Sequence, residues 1–158
     1  MIITDPVTTW KGVDVLIYGP SYVSDNVKIG ASTKIGAFSD ISSGVTIGEK
    51  CNIQCHTAIS TGVAIGDRVF LGPRVTILND LYPVSKKLAP PVIEDDAILC
   101  GSCTINPGVT IGHKAVVCSG ALVTKKVPAG MVFMSKTLPA TFHCFREAYD
   151  EKREEYEK

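Results

Sequence analysis

The chain has 158 residues, with sixteen basic and sixteen acidic side chains and a formal net charge of zero. That length suits one domain with one core, and the balanced charge leaves no basic footprint for nucleic acid or for an anionic membrane surface. No apolar run reaches the roughly 18 residues of a membrane-spanning helix, and MIITDPVTTW lacks the basic flank and apolar core of a signal peptide, so a cytoplasmic location is expected.

From Ile17 onward the chain repeats with a period of six. Ile17, Val23, Ile29, Ile35, Ile41, Ile47, Ile53, Ile59, Ile65, Leu71 and Ile77 follow without a miss, and Ile93, Leu99, Ile105, Ile111, Val117 and Val123 resume the series. Four positions after each stands a small or slender residue, such as Thr33, Cys51, Val69, Ala97 or Ala121, with Leu81 at the break as the exception. Glycine often follows the aliphatic residue directly, as at Gly30, Gly36, Gly48, Gly66, Gly72 and Gly112, which suits a turn with unusual backbone angles.

One large and one small inward position per six residues describe a narrow prism whose walls are short strands and whose edges are turns. Three hexapeptides close a coil, and coils stack like strands of a parallel sheet at about 4.8 Å. Ile29, Ile47, Ile65, Ile93 and Ile111 then form one axial column.

The step from Ile77 to Ile93 is six residues plus a ten-residue excursion that returns in phase. Pro83, Pro90 and Pro91 exclude this loop, residues 78–92, from a sheet interior, and Lys86 and Lys87 mark it as solvated or anion-facing. Loops on rigid scaffolds are where function concentrates. The repeats end near Pro128, giving a β-helix domain over 1–128 and a C-terminal extension over 129–158. In the extension, TFHCFREAYDEKREEYEK reads as a short terminal helix with Phe142, Phe145, Ala148 and Tyr149 on one stripe, placed to cap the open end or cross to a neighbour.

The repeat resembles the hexapeptide-repeat acyltransferase superfamily over Ile17 to Pro128. The fold class this implies is all-β, a left-handed parallel β-helix with one extruded loop and a short C-terminal helix. Left-handedness is taken from the resemblance, since parallel crossovers are otherwise right-handed. The resemblance also implies a homotrimer and acetyl-CoA as co-substrate. IGDRVFLGPRVT with ILNDLYP, and CSGALVTKKVPAGMV near the end, are similar to the group that N-acetylates amino groups on nucleotide-linked sugars. Cys118 and Ser119 depart from that group's glycine-rich run, and FMSKTLPATFH departs from its closing segment.

Acyl transfer from a thioester needs a nucleophile, a route for its proton and donors for the developing oxyanion. A sugar amine is partly neutral at physiological pH and depends less on a catalytic base than a hydroxyl does. Asn79 and Asp80 are therefore the leading catalytic pair, orienting and accepting from the amine, against the alternative that Asn-Asp merely turns the chain into the loop. His56 is the candidate base for O-acetyl transfer to a sugar hydroxyl, and outward His113 is a weaker one. Gln54, Tyr82 and Arg74 are candidate substrate contacts. For the donor, a pantetheine arm is expected along backbone around Gly101, Ser119, Gly120 and Ala121, with Lys125 and Lys126, and secondarily Lys87, meeting the phosphates. A non-catalytic β-helix scaffold is the reading from a different class.

No metal is expected. The six cysteines read as reduced thiols, Cys100 and Cys103 lack a second well-spaced ligand pair, and Cys51 and Cys103 fall on small inward positions. A γ-type carbonic anhydrase would need three zinc histidines, but His143 of the three histidines lies outside the repeats.

Overall fold

The computed structural model describes residues 1–135 and the backbone of residues 141–145. The strands assemble into three walls, named here in chain order. Wall A has nine strands in the order Val7–Trp10, Val13–Ile17, Thr33–Ile35, Asn52–Ile53, Phe70–Leu71, Ile98–Leu99, Val116–Val117, Met131–Met134 and Thr141–Phe145. Wall B has seven, Ile2–Ile3, Ser21–Val23, Asp40–Ile41, Ala58–Ile59, Thr76–Ile77, Thr104–Ile105 and Leu122–Val123. Wall C has five, Lys28–Ile29, Thr46–Ile47, Ala64–Ile65, Val92–Ile93 and Thr110–Ile111.

Successive coils pair in parallel and in register. Ile59 faces Ile41 below and Ile77 above, and the expected column Ile29, Ile47, Ile65, Ile93, Ile111 is present, with Val127 bridged to Ile111. These are the stacked parallel coils of the expected left-handed β-helix. The aliphatic series and the small series both point inward, and each of their members within the repeats is buried. Small inward hydroxyls stay satisfied: Ser39 and Thr57 donate to the carbonyls of Gly36 and Gln54 at 2.7 Å. Removing the aliphatic columns from water is the main driving force, since among the described residues no second layer packs on the prism.

The glycines after the aliphatic residues have a different reason from the one their sequence position suggests. None has a positive φ. A Cβ on Gly30 would lie 2.5 Å from the Gly48 carbonyl carbon, and one on Gly72 2.5 Å from the Gly101 nitrogen. They are there because the next coil leaves no room. The left-handed corner sits two residues later, and side-chain-bearing residues occupy it more often than glycine: Ser32, Phe38, Lys50, His56, Arg68, Arg74, Asp96, Ser102 and Lys114, against Gly44, Gly62, Gly108, Gly120 and Gly130.

Both ends are closed by antiparallel strands. At the first end Ile2–Ile3 pairs with Ser21–Val23 and Val7–Trp10 with Val13–Ile17. Trp10 closes the prism floor, 5% exposed, its indole N–H donating to the Val27 carbonyl at 3.0 Å. At the other end Met131–Met134 stacks in parallel on Val116–Val117, and Thr141–Phe145 turns back antiparallel against it. The expected C-terminal helix is therefore corrected at its start: residues 141–145 form a strand, because the open strand edge of 131–134 offers backbone hydrogen bonds that outweigh the helical spacing of Phe142 and Phe145. The rest of that expectation, residues 146–158 with Ala148 and Tyr149, lies outside the described residues.

Candidate functional site

Three edges separate the walls, and the candidate residues other than His113 fall on two of them. The BC edge, between walls B and C, extrudes the loop. The chain leaves at Asn79 and returns at Ala89, whose N–H donates to the Asn79 carbonyl at 2.7 Å and so closes the neck. The Asn79 side-chain Nδ2 donates to the Thr61 carbonyl one coil below at 2.9 Å. Its Oδ1 meets no donor among the described residues, so it is an acceptor held at a fixed place. Asp80 is committed differently. Its carboxylate accepts the Tyr82 N–H at 3.1 Å and the Ser85 N–H at 2.9 Å, which folds the loop's first turn. The Ser85 backbone N–H, followed by the other Ser85 and Tyr82 bonds, holds the Asp80 carboxyl below its ordinary value. Tyr82, like Leu81 and Val84, stands exposed on the loop. Lys125 and Lys126 lie on this same edge, exposed, two coils above the loop.

The AB edge carries the other candidates. Its left-handed corners run upward as Phe38, His56, Arg74, Ser102 and Gly120, each N–H donating to a carbonyl of the coil below. His56 is exposed, and its ring stacks on Phe38 with centroids 4.8 Å apart and 6° between planes. Gln54 is half-buried, its Nε2 donating to Asn52 Oδ1 at 2.7 Å. Arg74 is exposed and enters no ion pair among the described residues.

Higher on this edge, backbone groups sort into used and unused. The Gly120 N–H donates to the Gly101 carbonyl at 3.0 Å, and the Ala121 N–H to the Cys118 carbonyl at 3.2 Å. Ala121 is buried with its side chain inward, so it offers little to a ligand. The N–H groups of Gly101 and Ser119 meet no acceptor among the described residues. Stacked one coil apart, they form a short row of outward donors.

Thus the structure groups His56, Gln54, Arg74, Gly101, Ser119 and Gly120 on one edge and Asn79, Asp80, Tyr82, Lys125 and Lys126 on the next. Wall B separates the two groups within one chain, by six residues or at most about 20 Å.

The CA edge holds a network that sequence reasoning missed. Arg68 pairs both arms with Asp96, Nε to Oδ1 at 2.8 Å and an NH2 group to Oδ2 at 3.0 Å, while Asp67 and Asp95 approach it at 3.8 and 3.6 Å. That bidentate Arg68 hydrogen bonding holds the Asp96 carboxyl below its ordinary value. Asp67, Asp95 and Glu94 each accept a backbone N–H from another coil, at Glu49, Asp67 and His113. Acidic residues recurring two places after Ile47, Ile65 and Ile93 were the available signal. His113 stands here, 3.7 Å from Asp96 and far around the prism from Asn79 and His56. This ladder is a structural staple that satisfies corner N–H groups, the groups left open at Gly101 and Ser119.

Cys51 and Cys103 are buried inward as expected, and burial pushes the Cys103 thiol up to about 12. Among the described residues no cluster of three metal-ligating side chains occurs, and no helix is long and apolar enough to cross a membrane.

Residues 26–61 match the family described as bacterial transferase hexapeptide (six repeats), and residues 90–125 match the hexapeptide repeat of succinyl-transferase. A stretch of 64 residues is 41% identical to the 2,3,4,5-tetrahydropyridine-2,6-dicarboxylate N-acetyltransferase of Clostridium perfringens, covering 40% of this chain and 26% of that enzyme. The Staphylococcus aureus enzyme of the same name is 38% identical over 66 residues, 42% of this chain and 27% of its own. The chain spans about a quarter of the length of these relatives. Among solved structures, WeeI from Acinetobacter baumannii AYE superposes with a TM-score of 0.71 at 25% identity, over 82% of this chain and 57% of that one. AntD, an N-acyltransferase from Bacillus cereus in complex with dTDP and 3-hydroxybutyryl-CoA, superposes with a TM-score of 0.74 over 91% of this chain and 89% of its own. At 19% identity that likeness shows a common fold.

Proposed function

As a member of the hexapeptide-repeat acyltransferase superfamily, this chain, we propose, transfers an acetyl group from acetyl-CoA to the amino group of a nucleotide-linked sugar. The observation that carries the reading is the loop neck. Asn79 presents a fixed amide oxygen and no base, while the Asp80 carboxylate is taken up by two loop N–H groups. A nucleophile at that place must attack without a base to take its proton first, as a neutral amine can and a neutral hydroxyl cannot. The N-acetyl and N-acyl transferases among the relatives and solved structures support nitrogen as the acceptor, and the dTDP held by AntD supports a nucleotide handle.

In this mechanism Asn79 Oδ1 accepts one amine hydrogen and aims the lone pair at the thioester carbonyl carbon. The Gly101 or Ser119 N–H donates to the carbonyl oxygen as it becomes an oxyanion. Collapse breaks the C–S bond, the thiolate of CoA leaves, and the surplus amine proton is lost to it or to water. Amine and thioester become amide and free thiol. Asn79 is the catalytic member of the pair and Asp80 the positioning one, acting through the loop's shape.

The two candidate edges are a wall apart in one chain, so the complete site is assigned to a cleft between protomers of a homotrimer. There the BC edge of one faces the AB edge of its neighbour, and the exposed Leu81, Tyr82 and Val84 of the loop support contact across that cleft. Mixed trimers of Asn79→Ala and Ser119→Pro chains test this, since complementing sites recover activity only if each is built from two chains.

A second reading, a dicarboxylate rather than a sugar acceptor, is favoured by the Clostridium and Staphylococcus enzymes. Release of CoA thiol from acetyl-CoA, measured against nucleotide-linked amino sugars, their hydroxyl counterparts and amino dicarboxylates, separates the readings. Turnover with hydroxyl sugars alone overturns Asn79 in favour of His56, and no turnover with no CoA binding leaves a scaffold.

A further inference from the structure

Phe38 and His56 occupy consecutive left-handed corners of the AB edge, with φ of 61° and 59°. The matching corners of the BC edge are glycine at Gly44, Gly62 and Gly108, the residue that meets such angles without strain. The other side chains at left-handed corners of the repeats, from Ser32 to Lys114, are small polar or charged ones, so two aromatic rings on neighbouring coils call for a reason, and burial does not supply one. Phe38 is 57% exposed and His56 is exposed as well. The rings lie parallel, 6° apart, with centroids separated by 4.8 Å. That spacing equals the rise of one coil, about 4.8 Å, so the scaffold itself holds the rings face to face. Nothing slides between them, but a third planar ring extends the stack. One coil above, Arg74 sits at the next corner of the same edge, exposed and in no ion pair among the described residues.

From this arrangement we infer that Phe38 and His56 form a stacking platform for the base of a nucleoside diphosphate, with Arg74 as the ligand of its phosphates. Aromatic faces accept any base, and a guanidinium binds phosphate oxygens bidentately. The inference deepens the proposed function and rests on it, since the nucleotide is the acceptor sugar's handle. Coenzyme A also carries a nucleotide, so both sources share this chemistry. Position assigns the platform to the acceptor. The open N–H groups of Gly101 and Ser119 lie two and three coils above His56, about 10 to 14 Å along the same edge. The order along the edge is then base, diphosphate, sugar amine and acetyl donor.

The test is calorimetric titration of the full chain with dTDP, UDP, inorganic pyrophosphate and CoA, for the unaltered protein and for Phe38→Leu, Phe38→Tyr and Arg74→Gln. Phe38→Leu is expected to weaken dTDP and UDP by about tenfold, the lower range of base stacking on an aromatic ring, and to leave pyrophosphate and CoA unchanged. Phe38→Tyr restores binding, which a folding defect would not explain. Arg74→Gln weakens the nucleotides and pyrophosphate together. Nucleotide affinity equal in the unaltered protein and Phe38→Leu overturns the platform, as does no nucleotide binding at all. Loss of CoA affinity instead overturns its assignment to the acceptor. Phe38-dependent dTDP binding in a protein without acetyl transfer sinks the proposed activity and keeps the platform, whereas transfer to a nucleotide sugar with a KM untouched by Phe38→Leu does the reverse.

Discussion

Replacing Gly36 by alanine separates two reasons for glycine in this prism. The new Cβ would lie 2.5 Å from the Cys55 nitrogen, 2.8 Å from the Gln54 carbonyl carbon and 2.9 Å from the Cys55 Cα, all backbone of the next coil. Backbone cannot rotate away as a side chain does, so the coil above must lift by about 1 Å to restore normal contact. At this corner two bonds hold that coil down, Gly36 N–H to Ile53 O at 2.8 Å and His56 N–H to Ala37 O at 3.0 Å. Lifted by that much, both pass beyond hydrogen-bonding distance. Two bonds at about 1 kcal/mol each, with overpacking at the low end of its range, give a destabilisation of about 3 kcal/mol. Gly44 provides the contrast. It has φ of 69° and its Cβ would meet nothing nearer than 3.9 Å, so Gly44→Ala carries only the left-handed cost of about 1 to 2 kcal/mol. Urea unfolding followed by far-UV circular dichroism, at equal protein concentrations, compares them. The argument fails if Gly44→Ala destabilises the protein as much as Gly36→Ala.

Acid should open the loop before it unfolds the prism. The Asp80 carboxyl is held below its ordinary value by the Ser85 and Tyr82 N–H groups, so the stabilisation is fully present above that ordinary value and is lost as pH falls through the depressed one. The amide resonances of Tyr82 and Ser85 should hold steady from pH 7 to pH 5 and move only in that acid window, and movement near pH 6 would refute the assignment. Asn79→Ala is expected to lower kcat by about 10²-fold through misplacement of the amine, with a smaller change in KM, as steady-state thiol release would show. Cys103, with its thiol pushed up to about 12, should resist iodoacetamide at pH 8.5 while half-buried Cys55 reacts, as peptide mass mapping would show. Ile59→Ala, deleting a side chain 1% exposed between Ile41 and Ile77, should cost about 3 kcal/mol in the same urea assay.

The candidate site was legible in part. ILNDLYP drew attention to Asn79 and Asp80; in the structure Asn79 closes the loop neck and is tied to Thr61, while Asp80 folds the loop's first turn. Nothing in the sequence says that the Ser85 N–H will reach back to Asp80, since that depends on the path of the loop. The open N–H groups at Gly101 and Ser119 were placed by resemblance, and their freedom follows only from which neighbours lack a carboxylate. The Phe38 ring was passed over because an isolated outward phenylalanine carries no signal until the coil above sets His56 against it.

A period of six is a local property, so the sequence by itself determined the walls, the inward columns, the in-phase return at Ile93 and the buried thiols. Each residue there needs only to know its place in its own hexapeptide, and a misplaced inward side chain would have shown as a break in the pattern. What needed the tertiary structure is what depends on stacking. Close approach of coils, rather than turn angle, explains the glycines after the aliphatic residues, and the left-handed corners fall two residues later on side-chain-bearing positions. The end caps are likewise non-periodic: Trp10 closes the floor, and residues 141–145 become a strand because an unpaired edge at 131–134 is there to receive them. Hydrogen-bond partners 15 to 28 residues away, such as Thr61 for Asn79 and Asp96 for Arg68, exist only once the coils have closed.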